Sequence, residues 1–249
     1  MLVSTMAKSL VKSGASLSVL TLVSRVLGLI REMTKASFLG TSALSDAFSV
    51  AFLIPNLLRR LFAENSVSVA FIPTFRQYLE RDDRKRTGEF LSAMFTFLTF
   101  VTTIAVISGI LVTPLIVPLF GLKTTETVFL TRLMFPYLLV ISIAAFFQGI
   151  LNGVKVFSPS GFTPILFNAI IISFTYIFAD RAGNPARAMA FGVLVGGTVQ
   201  AAFQLPFVLK SGFRFSFVPL RKAFSDPGTK TVLRLIGPTI IGMAAYQLN

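Results

Sequence analysis

Long runs without charge alternate with short basic stretches along this chain. Residues 133–154, 156–179 and 188–209 are uncharged over 22, 24 and 22 positions, and residues 90–122 are uncharged as well. About 20 apolar residues carry a helix across the hydrocarbon core of a bilayer, so each run reads as a membrane span. Asn152-Gly153 and Ser158-Pro159-Ser160-Gly161 mark a tight turn between two of them. Two earlier apolar segments contain charges but are longer still than the three shortest of these runs. The pattern predicts helices over about 14–39, 45–78, 90–120, 128–153, 159–180 and 187–210. Pro55 is expected to break or kink the second, because proline lacks the amide donor.

The fold class that follows is all-α, a polytopic membrane helical bundle. Residues 1–211 hold its six predicted transmembrane helices. Residues 212–234 mix Phe213, Phe215, Phe217, Leu220 and Phe224 with Arg214, Arg221 and Lys222, and read as an amphipathic linker on the membrane surface. Residues 235–249 begin a seventh span but are too few to cross, so the chain reads as cut inside a helix. Lys8 and Lys12 precede the first apolar stretch without a small-residue cleavage site, which favours a retained span over a removed signal.

Composition agrees with this pattern. Of 249 residues, 54% are hydrophobic and only 13% charged, against about 25% charged in a soluble domain. The net charge of +13 lies between apolar segments, which points to topology and anionic lipid rather than nucleic acid. With the N-terminus in the cytoplasm, the inside regions carry fourteen Lys and Arg and the outside regions four. No Cys and no His are present, so no thiolate metal site is expected, no cofactor is indicated and the commonest general base is missing. Asp82 and Asp83 lie among Arg81, Arg84, Lys85 and Arg86, where a solvated loop is a better account than a carboxylate pair.

Five cations remain, and all lie in the first two spans: Arg25, Arg31, Lys35, Arg59 and Arg60. A charge at mid-membrane costs roughly 2.5–3.5 kcal/mol on insertion scales, so these side chains should not face lipid. At about 100° per residue, Ser24, Gly28, Arg31, Glu32 and Lys35 fall within about 120° of Arg25. The first helix is therefore apolar over most of its circumference and cationic along one stripe. In the second span Asn56, Arg60 and Glu64 recur every four residues and share a face, with Arg59 offset by one. Glu32 and Glu64 leave the hairpin with an excess of three positive charges, or two if Asp46 joins the same cavity. A purely structural network tends to neutrality. The excess suggests a water-filled cavity for an anion, and Arg suits phosphate or carboxylate because its planar fork binds two oxygens.

These residues resemble a known family. Ser24-Arg25-Val26-Leu27-Gly28 followed by Arg31 is similar to the first span of the MurJ (MviN) lipid II flippases. So are Ser45-Asp46-Ala47-Phe48 and the run Pro55-Asn56-Leu57-Leu58-Arg59-Arg60-Leu61-Phe62-Ala63-Glu64. Phe135-Pro136-Tyr137-Leu138-Leu139, Gly149-Ile150-Leu151-Asn152, Thr163-Pro164-Ile165-Leu166-Phe167-Asn168 and Gln204-Leu205-Pro206 extend the likeness over nearly the whole chain.

The resemblance implies one lobe, plus the start of helix seven, of a fourteen-helix MATE-like (MOP superfamily) transporter, with a C-terminal lobe absent from these residues. It implies export of lipid II, the undecaprenyl-pyrophosphate-linked peptidoglycan precursor, by alternating access in the bacterial cytoplasmic (inner) membrane. It implies a transporter and not an enzyme. Arg25, Arg31 and Arg59 match the family's cavity arginines, and Ser24, Glu32, Arg60 and Asn56 join them as substrate-binding candidates. Gly28, Glu64 and Asn168 match positions near the gate. Glu32 stands where the family usually has Asp, and a further cavity arginine belongs to a helix beyond Asn249. Other readings remain open at this point. One is a flippase for another polyprenyl-linked glycan, or a MATE-type exporter. Another is a non-transporting scaffold whose arginines only organise helix packing.

Overall fold

A computed structural model describes the backbone of residues 2–59, 67–121 and 125–248, and side chains over 18–59, 69–121 and 125–237. Every regular element among these residues is helical. Among the described residues four helical stretches are long and apolar enough to cross a membrane: Arg84–Phe120, Thr125–Gly153, Ser158–Phe178 and Pro185–Lys210.

Helix α1 spans Leu2–Leu39 and starts well before the predicted position 14. No proline interrupts these residues, and at about 1.5 Å per residue the helix is long enough to cross and project. Gly40 ends it in the left-handed region at φ 56°, where glycine carries no Cβ penalty. Helix α2, Ala43–Arg59, runs through Pro55 without stopping there.

The described parts of the predicted helix over 45–78 are both helical, with residues 60–66 outside the described residues. A π-helical turn at Val67–Phe71 leads into α3, Ile72–Glu80, with Pro73 in its first turn. The proline ring removes a donor and crowds the carbonyl four residues back, and a local wider turn accommodates it.

Asp82 adopts φ 51°, and Asp83 caps α4 (Arg84–Ile116) by accepting the Arg86 amide at 3.0 Å. The Asp82-Asp83 pair thus serves a turn and a helix start, as a solvated loop would. The predicted helix over 128–153 is α5, Thr125–Met134, and α6, Tyr137–Gly153, separated at Phe135-Pro136. Helices α7, Ser158–Phe178, and α8, Pro185–Lys210, follow the apolar runs closely.

The last stretch departs most from the hydropathy pattern. Helix α9 covers Leu220–Ser225, and α10 covers Pro227–Leu248, starting eight residues before the predicted 235. Asp226 accepts the Thr229 amide at 2.8 Å and Pro227 follows it. This is a helix-start signal that Lys230 and Arg234 hide from a hydropathy count.

The linker before α9 does not simply lie on a surface. Backbone amides of Ser216 and Val218 donate to the Ser92 and Thr96 hydroxyls of α4, at 3.2 and 3.0 Å. Phe213 packs edge-on to Phe75, and Phe215 packs against Phe95, Phe146 and Phe147. Phe217, Leu220 and Phe224 keep substantial exposure.

Three apolar clusters form among the described residues, and the smallest gathers Ile54, Val106, Phe135 and Leu138. A second gathers Phe71, Phe75, Phe90 and Phe146 near the linker. The third gathers Phe48, Tyr137, Phe167 and Met189. Glu126 accepts both Nε and Nη2 of Arg187, at 2.8 and 2.6 Å, and the Asn184 amide at 2.9 Å. Arg187 also stacks over Phe129, 4.6 Å from its centroid. This clamp ties the start of α8 to α5.

Helices α7 and α8 pack closely, with Gly192 and Gly196 at their crossing, and Gly197 faces Tyr137 and Val140 of α6. Small residues let membrane helices approach, because lipid supplies no hydrophobic drive between them. A Cβ on Gly192 would lie 3.0 Å from the Ile171 Cα, a backbone atom that cannot rotate away. Gly192→Val is expected to destabilise the full-length protein by about 1–3 kcal/mol, read as a lower unfolding midpoint in detergent. Gly88→Ala, whose Cβ meets only the Arg214 carbonyl at 4.0 Å, should hold or raise it, since Ala favours helix by up to about 1 kcal/mol.

Candidate functional site in the α1–α2 hairpin

The cationic stripe of α1 faces two neighbours. Along its middle α1 packs on α7, and past Arg31 it meets α2. Asn168 of α7 is buried, with 6% exposure, and it joins the two helices. Its Oδ1 accepts Arg31 Nη1 at 3.1 Å, and its Nδ2 donates to the Ser24 carbonyl at 3.3 Å. Both ends of one amide are therefore used. Arg31 Nη2 pairs with Glu32 Oε1 at 2.7 Å; the Arg31 side chain is 24% exposed and that of Glu32 57%. The guanidinium is fixed from two sides while its carboxylate partner faces open space.

One turn further, Lys35 Nζ donates to Ser49 Oγ of α2 at 2.6 Å and sits 5.9 Å from the Phe48 ring centroid. Ser49 in turn donates to the Ser45 carbonyl at 2.7 Å. On α2, Arg59 Nε donates to Asn56 Oδ1 at 2.9 Å. Arg31, Glu32, Lys35, Ser49 and Asn56 line a cavity of about 200 Å³, with Phe48, Phe52, Leu53, Ile171, Met189 and Val193 as its apolar walls. Its described lining holds two cations and one carboxylate.

The candidates from the sequence separate into groups. Arg31, Glu32 and Asn56 line this cavity, and Asn168 and Arg59 hold members of it in place. Ser24 contributes its carbonyl, and its side chain takes no part in these contacts. Gly28 lies beside Asn168, but a Cβ there would make an ordinary 3.8 Å contact with Nδ2, so close approach alone does not demand glycine. Arg25 is exposed and outside the cavity lining. Arg60 and Glu64 lie outside the described residues. The sequence reading does not reach Ser49 or the Phe48–Phe52 wall. Both follow only from knowing which α2 face meets Lys35. Among the described residues no three Asp, Glu, His or Cys side chains gather into a metal site.

Comparison with known proteins gives a consistent result. A family model described as lipid II flippase MurJ matches residues 35–249. A probable lipid II flippase MurJ of Treponema pallidum is 53% identical over 97% of this chain and 47% of its own length. One from Vibrio cholerae is 34% identical over 98% of this chain and 49% of its own. The chain spans about half the length of the curated relatives it matches. Among solved structures, lipid II flippase MurJ in an inward closed conformation superposes with TM-score 0.73 at 25% identity, over 93% of this chain and 48% of that one. An outward-facing multidrug resistance MATE family transporter of the MOP superfamily superposes at 0.69 with 16% identity, covering 94% and 53%, which shows a shared fold.

Proposed function

The chain belongs to the lipid II flippase MurJ family and is a multi-pass membrane protein; from that premise we propose that it takes part in moving lipid II from the inner to the outer leaflet of the bacterial cytoplasmic membrane. The observation that carries this reading is the cavity of the α1–α2 hairpin, where Arg31 and Lys35 face one another's ligand space with a single carboxylate between them. Such a site attracts a diphosphate or the carboxylates of a peptide, while the polyprenyl tail stays in lipid.

Transport here is alternating access. Two halves of such folds rock about a central site, and this chain supplies one half with its cations turned to the centre. A C-terminal lobe carries the other half and a further cavity arginine. Arg25, Arg31 and Arg59 are the substrate-facing arginines of this half, Arg60 and Asn56 assist them, and Gly28, Asn168 and Glu64 belong to its gate. The end bearing the α3–α4 turn and the α8–α10 linker faces the cytoplasm, supported by the Lys and Arg bias of its loops. The Glu126–Arg187 end faces outward.

Depletion of the full-length protein in its host tests the substrate. Lipid II is expected to accumulate in the inner leaflet, measured by mass spectrometry of extracted polyprenyl lipids. Accumulation of a different glycan carrier instead would assign another substrate to the same cavity. No accumulation of any carrier would leave the arginines as packing elements.

A further inference from the structure

Arg31 and Lys35 stand one turn apart on α1, about 6 Å along the axis, but their surroundings differ. Arg31 is engaged on two sides, by the Glu32 carboxylate and the Asn168 amide oxygen. Lys35 has a neutral partner, the Ser49 hydroxyl. That hydroxyl spends its own proton on the Ser45 carbonyl, so it offers Lys35 a lone pair and no charge. The ion pairs among the described residues are Arg31–Glu32, Arg86–Glu89 and Arg187–Glu126, and none includes Lys35. Asp46 is the acidic residue nearest in sequence on α2, one turn before Ser49, and it is exposed.

An ammonium carries three N–H donors. Ser49 takes one, and the Phe48 ring covers a flank at 5.9 Å. The remaining donors have cavity space beside them, since Lys35 lines the same 200 Å³ as Arg31 and Asn56. Phe52, Met189 and Val193 of the same lining bring no competing acceptor. The cavity therefore holds one cation already balanced and one not.

We propose that Lys35 is a substrate-anion contact of this cavity, binding a phosphate oxygen of a diphosphate while Arg31 is held in place by Glu32 and Asn168. This rests on the transport reading above and adds a residue to it. The Ser49 bond fixes the direction of the ammonium, and its charge stays available. A diphosphate can span one helical turn, with one phosphate towards each cation.

The test is equilibrium binding of farnesyl diphosphate to the purified full-length protein in neutral detergent, with farnesol as the uncharged control. Wild type is expected to bind the diphosphate more tightly than farnesol. Lys35→Met and Lys35→Gln should each weaken diphosphate binding about ten- to a hundredfold and leave farnesol binding within about threefold. Lys35→Arg should stay within about tenfold of wild type, because it keeps the charge. Gln can still bond Ser49, so it separates charge from the hydrogen bond. Wild-type diphosphate affinity in Lys35→Gln would overturn the proposal, as would equal losses for diphosphate and farnesol. If Arg31→Ala loses diphosphate binding while Lys35→Met does not, the transport reading stands and Lys35 is excluded. If wild type binds the diphosphate no better than farnesol, the cavity is no anion site and both readings fall.

Discussion

Replacing Arg31 or Arg59 by Ala in the full-length protein is expected to abolish or sharply reduce lipid II export without preventing membrane insertion. Removing a cation from a spanning helix eases insertion, because the charge itself is costly there. What disappears is a charged donor. A hydrogen bond to a charged group contributes roughly 1.5–3 kcal/mol, which is about ten- to over a hundredfold in binding. The two positions should differ in detail. Arg31→Ala also leaves Asn168 Oδ1 and Glu32 without their partner, so a stability loss should accompany it. Arg59 acts at the far side of Asn56, and its loss frees the Asn56 side chain that lines the cavity. Lys at either position should rescue only partly, since it keeps charge but not the fork. Export measured in depleted cells, alongside membrane protein levels, decides the matter. Normal export by both Ala variants would remove these arginines from the mechanism. Loss of export that tracks loss of protein would make them structural.

Asn168 should give the second large effect, through two opposite substitutions. Asn168→Leu keeps the branched shape at Cγ but removes the acceptor for Arg31 and the donor to the Ser24 carbonyl. Leaving buried polar groups unpaired costs about 1–3 kcal/mol, and Arg31 then swings with Glu32 alone. Asn168→Asp keeps an acceptor but adds a second carboxylate beside Arg31. That would offset, from just behind Arg31, the net positive charge of the described cavity lining. Export is expected to fall at least tenfold in both, for different reasons. Diphosphate binding should weaken with Leu through misplacement. With Asp it should weaken through neutralisation, and lowering the pH should restore part of it as the new carboxyl takes up a proton. Equal export by Asn168→Asp and wild type would show that the cation excess is not used.

Much of this was legible in the chain itself. The spans between Arg84 and Lys210 follow from uncharged runs of sufficient length, because burial in lipid is a property of composition over a local window. The cationic stripe was legible for a related reason. A charge in a span is so costly that its helical face predicts where lipid is not. Arg31, Glu32 and Asn56 line one cavity, while Arg25 of the same stripe lies outside its lining. The motifs around Pro55 and Thr163 carried the family, and the comparisons agree.

Other features needed the folded chain. Asn168 lies 137 residues from Arg31, and no local pattern links an amide in one apolar run to a guanidinium in another. That contact depends on α7 crossing α1, and the α7–α8 pairing at Gly192 helps to set where α7 lies. Ser49 became relevant because a single face of α2 meets Lys35. Hydropathy gave no sign that Ser92 and Thr96 bind the linker's backbone to α4. Likewise α10 starts at Pro227 because a cap at Asp226 outweighs the charges of Lys230 and Arg234. Hydrophobicity and charge cost act over a helix turn or a span, and one sequence carries them in full. Side-chain pairing acts over about 3 Å between distant segments, and it exists only once the helices have chosen their crossings.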